Sequence, residues 1–342
     1  QVTFDTAERC DPTANPKVNC ADPAQMTAAN ATSWPDVPVD QKCAQADTCN
    51  NHAPTFWSTR KLTTITTWYD TGGGPVKVDR YALGQSLPGL GFGDRELRLD
   101  SITRTGYAPD GTSATLPPVS FTYQLMDNRV FGYHNLPSMA HWRLTNVATD
   151  TGSIVNVTYS GTECTKDSVP DPATDDRRCY PVKWQPDFFK DPVLDYFHKY
   201  VVTRVEVQDR NGLSPTQVTN YTYVGAPAWH FDDNEIVKPE NRSYGQFRGY
   251  GQVEVRTGNP ANSTAGSLDT QTLVRTTYFR GMDGDTLPSG TRQANVTNSL
   301  GEAVPDKDGY AGLPREVQTF NGANGSQLST TITDPVTVAT TA

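Results

Sequence analysis

Lys61-Leu62-Thr63-Thr64-Ile65-Thr66-Thr67-Trp68-Tyr69 runs into Asp70-Thr71-Gly72-Gly73-Gly74, and Val76, Val78 and Tyr81 follow at alternate or nearly alternate places. Threonine, isoleucine and aromatic side chains fit a pleated, half-buried surface. An Asx side chain bonds the backbone two residues on and glycine accepts positive φ, so the middle of the stretch is a turn. The whole reads as a β-hairpin.

The same pattern recurs along the chain. Trp142 to Val147 leads to Asp150-Thr151-Gly152, and Val155, Val157 and Tyr159 alternate on the return. Val201 to Val207 leads to Asp209-Arg210-Asn211-Gly212 before Val218 to Val224, and Asn295-Val296-Thr297 leads to Asn298-Ser299-Leu300-Gly301. Val119, Phe121, Tyr123 and Leu125 also alternate. The turns are unevenly spaced, which argues against a fixed-period solenoid or propeller. The predicted class is all-β, with serial antiparallel hairpins forming one large curved sheet. Helical periodicity is expected at one place, Val193 to Val202, besides a short helix started by Asp22-Pro23-Ala24. Residues 1–54 read as an irregular, Cys/Pro-rich region and 55–342 as the hairpin-rich part, with surface excursions at Glu163 to Arg178 and Asn259 to Asp269.

Composition narrows the function classes. The 342 residues carry 29 Lys and Arg against 38 Asp and Glu, a net charge of −9. No stretch gathers enough base to grip a phosphate backbone, so nucleic acid is not an expected partner. Hydrophobic residues make up 35% of the chain, which suits many paired strands with wet outer faces. No apolar run approaches the roughly 20 residues of a membrane-spanning helix, and no basic-then-apolar leader precedes Gln1, so the start reads as a cut end.

The six cysteines, Cys10, Cys20, Cys43, Cys49, Cys164 and Cys179, fall in sequence-neighbouring pairs within Pro/Asp/Asn loops. None makes a C-x-x-C pair, and an even count in loops points to disulfides rather than zinc. Proximity suggests Cys10 with Cys20, Cys43 with Cys49 and Cys164 with Cys179, although sequence alone leaves the connectivity open. Such bridges place the chain outside the cell, secreted or at the cell surface.

Motifs that carry chemistry are sparse. His52, His134, His141, His198 and His230 are scattered, and neither H-E-x-x-H nor G-x-S-x-G occurs. Asp232, Asp233 and Glu235 beside Trp229 and Phe231 offer the acids and aromatics of a glycoside hydrolase, against the plainer reading of an acidic loop after a strand. Asp283-Gly284-Asp285 and Asp306-Lys307-Asp308-Gly309 could hold calcium, but neither completes an EF-hand loop and both fit ordinary turns. No cofactor or metal is expected, and no enzymatic activity. Aromatic residues at alternate strand positions serve a sheet core as readily as a carbohydrate platform, so a glycan-binding surface stays open.

Tyr244-Gly245-Gln246-Phe247-Arg248-Gly249-Tyr250-Gly251-Gln252-Val253-Glu254-Val255 resembles the FRGFG-x-V-x-V signature of RHS/YD-repeat proteins, a family that includes the shell subunits of insecticidal toxin complexes. Leu194-Asp195-Tyr196-Phe197-His198-Lys199-Tyr200-Val201-Val202-Thr203, with Trp34-Pro35-Asp36-Val37-Pro38-Val39-Asp40 and Phe56-Trp57-Ser58-Thr59, is similar to large secreted actinobacterial RHS-repeat proteins. The resemblance implies a strand-turn-strand ribbon wound into a hollow shell that encloses a C-terminal toxic cargo. Its partner would then be the rest of its own parent chain. The chain departs from the family in lacking strict Y-D-x-x-G-R repeats, with Tyr69-Asp70-Thr71-Gly72 coming nearest, and in lacking a self-cleaving core. It would be a segment upstream of the regular repeats. Within the motif, Gly249 and Gly251 would permit close approach or a bulge, Phe247 and Tyr250 would pack, and Arg248 would pair with a carboxylate.

Overall fold

The computed structural model describes residues 1–42, 57–70, 72–91, 94–186, 189–259 and 271–338. The chain divides into two compact units, Gln1–Met126 with Met139–Val155, and Asp127–Ser138 with Asn156–Ala342. The boundary expected at residue 54, the pair Cys43 and Cys49, His52 and most of the excursion at Asn259 to Asp269 lie outside the described residues. No helix among the described residues is long and apolar enough to cross a membrane.

The first unit holds β1 (Val2–Glu8), β2 (Arg60–Asp70), β3 (Pro75–Ser86), β4 (Gly89–Gly91), β5 (Asp94–Arg95), β6 (Arg98–Tyr107), β7 (Ser113–Thr115), β8 (Val119–Met126) and β9 (His141–Ala148). Its main sheet is antiparallel in the order β1-β2-β3-β6-β8-β9, with β7 beside β6 and with β4 and β5 paired separately. The hairpin of β2 and β3 closes at Asp70 opposite Pro75, and the Asp70 carboxylate accepts from the Gly72 amide at 2.8 Å. That is the Asx turn the sequence predicts. Between β1 and β2 the chain is irregular. A 3₁₀ turn at Pro23–Gln25 starts where Asp22 accepts from the Ala24 amide at 3.0 Å. Trp34, Val18, Met26, Val37 and Val39 form a small core there against the Cys10–Cys20 disulfide.

β10 (Ser153–Tyr159) starts among the residues of the first unit and ends among those of the second. The second unit continues with β11 (Cys179–Trp184), β12 (Val193–His198), β13 (Val202–Asp209), β14 (Gln217–His230), β15 (Gln246–Thr257), β16 (Thr272–Tyr278), β17 (Asn295–Thr297), β18 (Ala303–Pro305), β19 (Pro314–Phe320) and β20 (Gln327–Ile332). Here the antiparallel order is β13-β14-β15-β16-β19-β20, while β11 pairs with β12 and β17 with β18. Val130, Cys164, Cys179 and Tyr196 form its core cluster, with the Cys164–Cys179 disulfide inside it.

The fold is therefore all-β and built of serial antiparallel pairs, as the sequence predicts. One expectation is corrected: Val193 to Val202 contains no helix. Val193–His198 is a strand, with four consecutive residues from Asp195 to His198 buried. A strand covered on both faces loses its alternation, so its apolar run mimics a short helix.

Candidate functional site

The motif residues lie on β15, in the longest strand pair of the second unit. Phe247 stands opposite Trp229 and Gly249 opposite Ala228, so Arg248 is an extra residue and β15 bulges there. Gly249 has φ of 75°, the left-handed conformation that such a bulge favours and that a side chain resists. Further along, Tyr250 faces Pro227 and Gln252 faces Val224, leaving Gly225 and Ala226 opposite the single residue Gly251. The pair thus carries two bulges, one on each strand. Bulges bend a strand and add twist, which re-aims the side chains around them.

The aromatic side chains of this segment pack on one another. Trp229 stacks on Tyr180 at 5.1 Å between centroids and lies 5.0 Å from Phe247, while Tyr250 lies 4.8 Å from Tyr223. Such contacts contribute about 0.5–1.5 kcal/mol each beyond area burial. Lys199 sits over the Phe247 ring at 4.7 Å. Arg248 pairs with Asp308 at 2.7 Å and reaches the Gln246 side chain at 3.2 Å. Gly251 lies under the Arg280 guanidinium: a Cβ there would stand 3.6 Å from Arg280 Cζ.

Asp195 on β12 forms a fully buried ion pair with Arg129 of the neighbouring segment, which bridges to Phe197. Arg129 also donates to the carbonyls of Pro137 and Tyr133, and Asp195 accepts from Trp184 Nε1 at 3.0 Å and from the Tyr196 amide at 2.8 Å. Hydrogen bonds on both partners are what make a buried pair tolerable.

The other candidate groups are held in structural contacts. Asp232 accepts from the Asn234 amide at 3.0 Å, and Asp232 and Asp233 share the Gln246 amide at 3.2 and 3.0 Å. The Gln246 bond holds Asp233 below the usual carboxylate range, the opposite of what a general acid needs. Asp285 is buried and takes the Phe231 amide at 3.0 Å, Arg292 Nε at 3.3 Å and His230 Nε2 at 3.5 Å. Asp306 accepts from the amides of Arg280 and Gly281, and Asp283 from the Ala294 amide. These acids are thus capped by backbone donors, as in tight turns. His134 contacts the Leu194 carbonyl, His141 pairs with Glu96 at 2.9 Å and His198 is buried on β12. No group of three or more metal-ligating side chains occurs among the described residues.

Three groups that sequence reading passes over meet at one cavity: Asp175, Arg280 and Arg292. Burial pushes the Asp175 carboxyl up to about 7, against an ordinary 3.8, although the Arg177 amide donates to it at 2.8 Å. Nothing in their spacing marks these residues, because the walls around them come from distant segments.

This architecture defines a polar, disulfide-bonded, serially hairpinned β protein. No protein-family model matches the chain, and no curated protein matches it. Among solved structures it is similar to the crystal structure of TcdB2-TccC3-TEV, at 16% identity and a TM-score of 0.28 over 77% of this chain and 14% of that one. The crystal structure of TcdB2-TccC3 gives 15% identity and a TM-score of 0.29 over 77% of this chain and 15% of that one. The Tc holotoxin pore of Photorhabdus luminescens gives 15% identity and a TM-score of 0.28, again over 77% and 14%. The chain spans about one seventh of the length of these matched chains.

Proposed function

We propose that the chain is a non-enzymatic shell or scaffold segment of a larger, secreted RHS/YD-repeat protein, whose work is to enclose or carry a C-terminal cargo. The observation that carries this reading is the strand order. Within each unit nearly every strand of the main sheet lies beside the next in sequence, so the sheet grows by adding hairpins at its edge. A sheet built this way lengthens hairpin by hairpin, and past about ten strands it curls or flattens into a wall.

The Phe247-Arg248-Gly249-Tyr250-Gly251 segment supports the reading, since two bulges in one pair bend the ribbon where a wall must curve. The disulfides suit an extracellular setting. The test is the intact mass and non-reduced peptide map of the native protein from its source. The expected product is a chain several times longer with further strand repeats after residue 342 and locally paired cysteines. A native product ending near that residue would overturn the proposal.

A further inference from the structure

The second unit holds a cavity of about 460 Å³, a size ordinary for small-molecule sites. Its walls are the turn at 172–175, the bulged stretch of β14 at 226–229, and Arg280, Met282 and Arg292. Two of these groups are cations whose bonding is incomplete. The Arg280 backbone amide is taken by Asp306 at 2.7 Å, but its guanidinium makes no hydrogen bond or ion pair among the described residues, and its Nε is buried. Burial lowers the pKa of this guanidinium, repulsion from Arg292 adds to the effect, and attraction to Asp306 offsets part of it. Arg292 commits Nε to Asp285 at 3.3 Å and Nη2 to the Ala173 carbonyl at 3.4 Å, with no bond from Nη1 among the described residues.

A desolvated guanidinium with unmade bonds is costly, and an oxyanion relieves that cost by charge-assisted hydrogen bonds in a planar fork. The rest of the wall selects which oxyanion. Trp229, Met282, Pro172, Pro227 and Ala228 form the apolar part of the wall, and Thr174, Asp175 and Gln293 line the rest beside the two guanidinium groups. A carboxylate on an apolar body sets its hydrocarbon against the apolar part of the wall and its single charge against the guanidinium groups, whereas a phosphate brings up to two charges toward the Asp175 carboxyl and has no hydrocarbon for the apolar part. We propose that this cavity binds a small carboxylate with an apolar body, with Arg280 as its principal anion ligand and Arg292 as the second positive charge.

The test is calorimetric titration of the whole chain with benzoate at fixed ionic strength, in buffer free of other carboxylates, with acetate and inorganic phosphate as comparisons. Saturable benzoate binding that exceeds both is expected. Arg280→Gln should weaken it by roughly tenfold or more, the scale of one charge-assisted bond. Ala226 is exposed at the cavity rim, so Ala226→Phe should block binding without disturbing the core. Should Arg280→Gln fail to fold, the Arg280 Nε resonance of the unsubstituted chain should still shift on titration. Absence of saturable binding at tens of millimolar, phosphate binding as tight as benzoate, or benzoate binding that leaves both Ala226→Phe and the Arg280 resonance unaffected would each overturn the proposal.

Discussion

Asp175 shows how one residue can take its chemistry from segments far away in sequence. It sits in a Pro/Asp loop like several others in the chain, and neither its neighbours nor its spacing distinguishes it. The acids that sequence reading singles out, Asp232 and Asp233, are hydrogen-bonded to Gln246 instead. The carboxyl of Asp175 has a buried Oδ2 without a partner, and burial outweighs the Arg177 amide and charge, with Asp176 and Glu163 adding repulsion. The sign follows directly. With a folded value of about 7 and an unfolded value of 3.8, the folded state holds a proton that the unfolded state releases between those limits. The neutral acid's advantage is full below the unfolded value and is lost as pH rises through the folded one. Asp175→Asn keeps the shape without the charge, so it should flatten the loss of stability between about pH 4 and pH 7 and be more stable than the parent at about pH 8. Urea unfolding midpoints across that range check this, and equal slopes in parent and variant would sink the assignment.

Among the elements, β12 is the instructive error. The turns of β2–β3, β13–β14 and β17–β18 are legible because Asx and Gly act locally, whereas Val193–His198 depends on what covers it. Residues 128–130 run along its outer edge, with the Val130 amide donating to the Tyr196 carbonyl at 2.9 Å and the His198 amide to the Asn128 carbonyl at 2.7 Å. Burial on both sides erases the alternation that identifies the other strands. The same covering segment delivers Arg129 to Asp195. Removing one partner strands a buried charge, so Arg129→Ala should cost on the order of 3–5 kcal/mol. Asp195→Asn should cost less than Asp195→Ala, because the amide oxygen still accepts from Trp184 Nε1 or the Tyr196 amide. Equilibrium denaturation ranks the three variants. An Arg129→Ala protein as stable as its parent would mean that the pair contributes nothing to the fold.

At the scale of the whole molecule, the polar composition and the serial order belong together. Most strand residues are half-buried rather than buried, and among the described residues two small apolar clusters each pack around a disulfide. Sequence conveyed this plan, because consecutive hairpins need only local turn chemistry. It did not convey the division into two units, since Asp127–Ser138, which belongs to the second, interrupts the first without any linker-like composition. The plan has a cost at its margins. β20 pairs with β19 and has no second strand partner among the described residues, and its side chains are exposed, Leu328 at 64%. An open edge of this kind templates the addition of another strand, which in a longer chain would be the next hairpin and in an isolated one is a second copy. The isolated chain should therefore associate as its concentration rises. Leu328→Lys should weaken that association, because a charged side chain on an edge strand disfavours pairing, while leaving the strand signal in circular dichroism unchanged. Sedimentation over a wide concentration range measures both. A parent that stays monomeric throughout, or association insensitive to the substitution, would show that β20 is not where the ribbon extends.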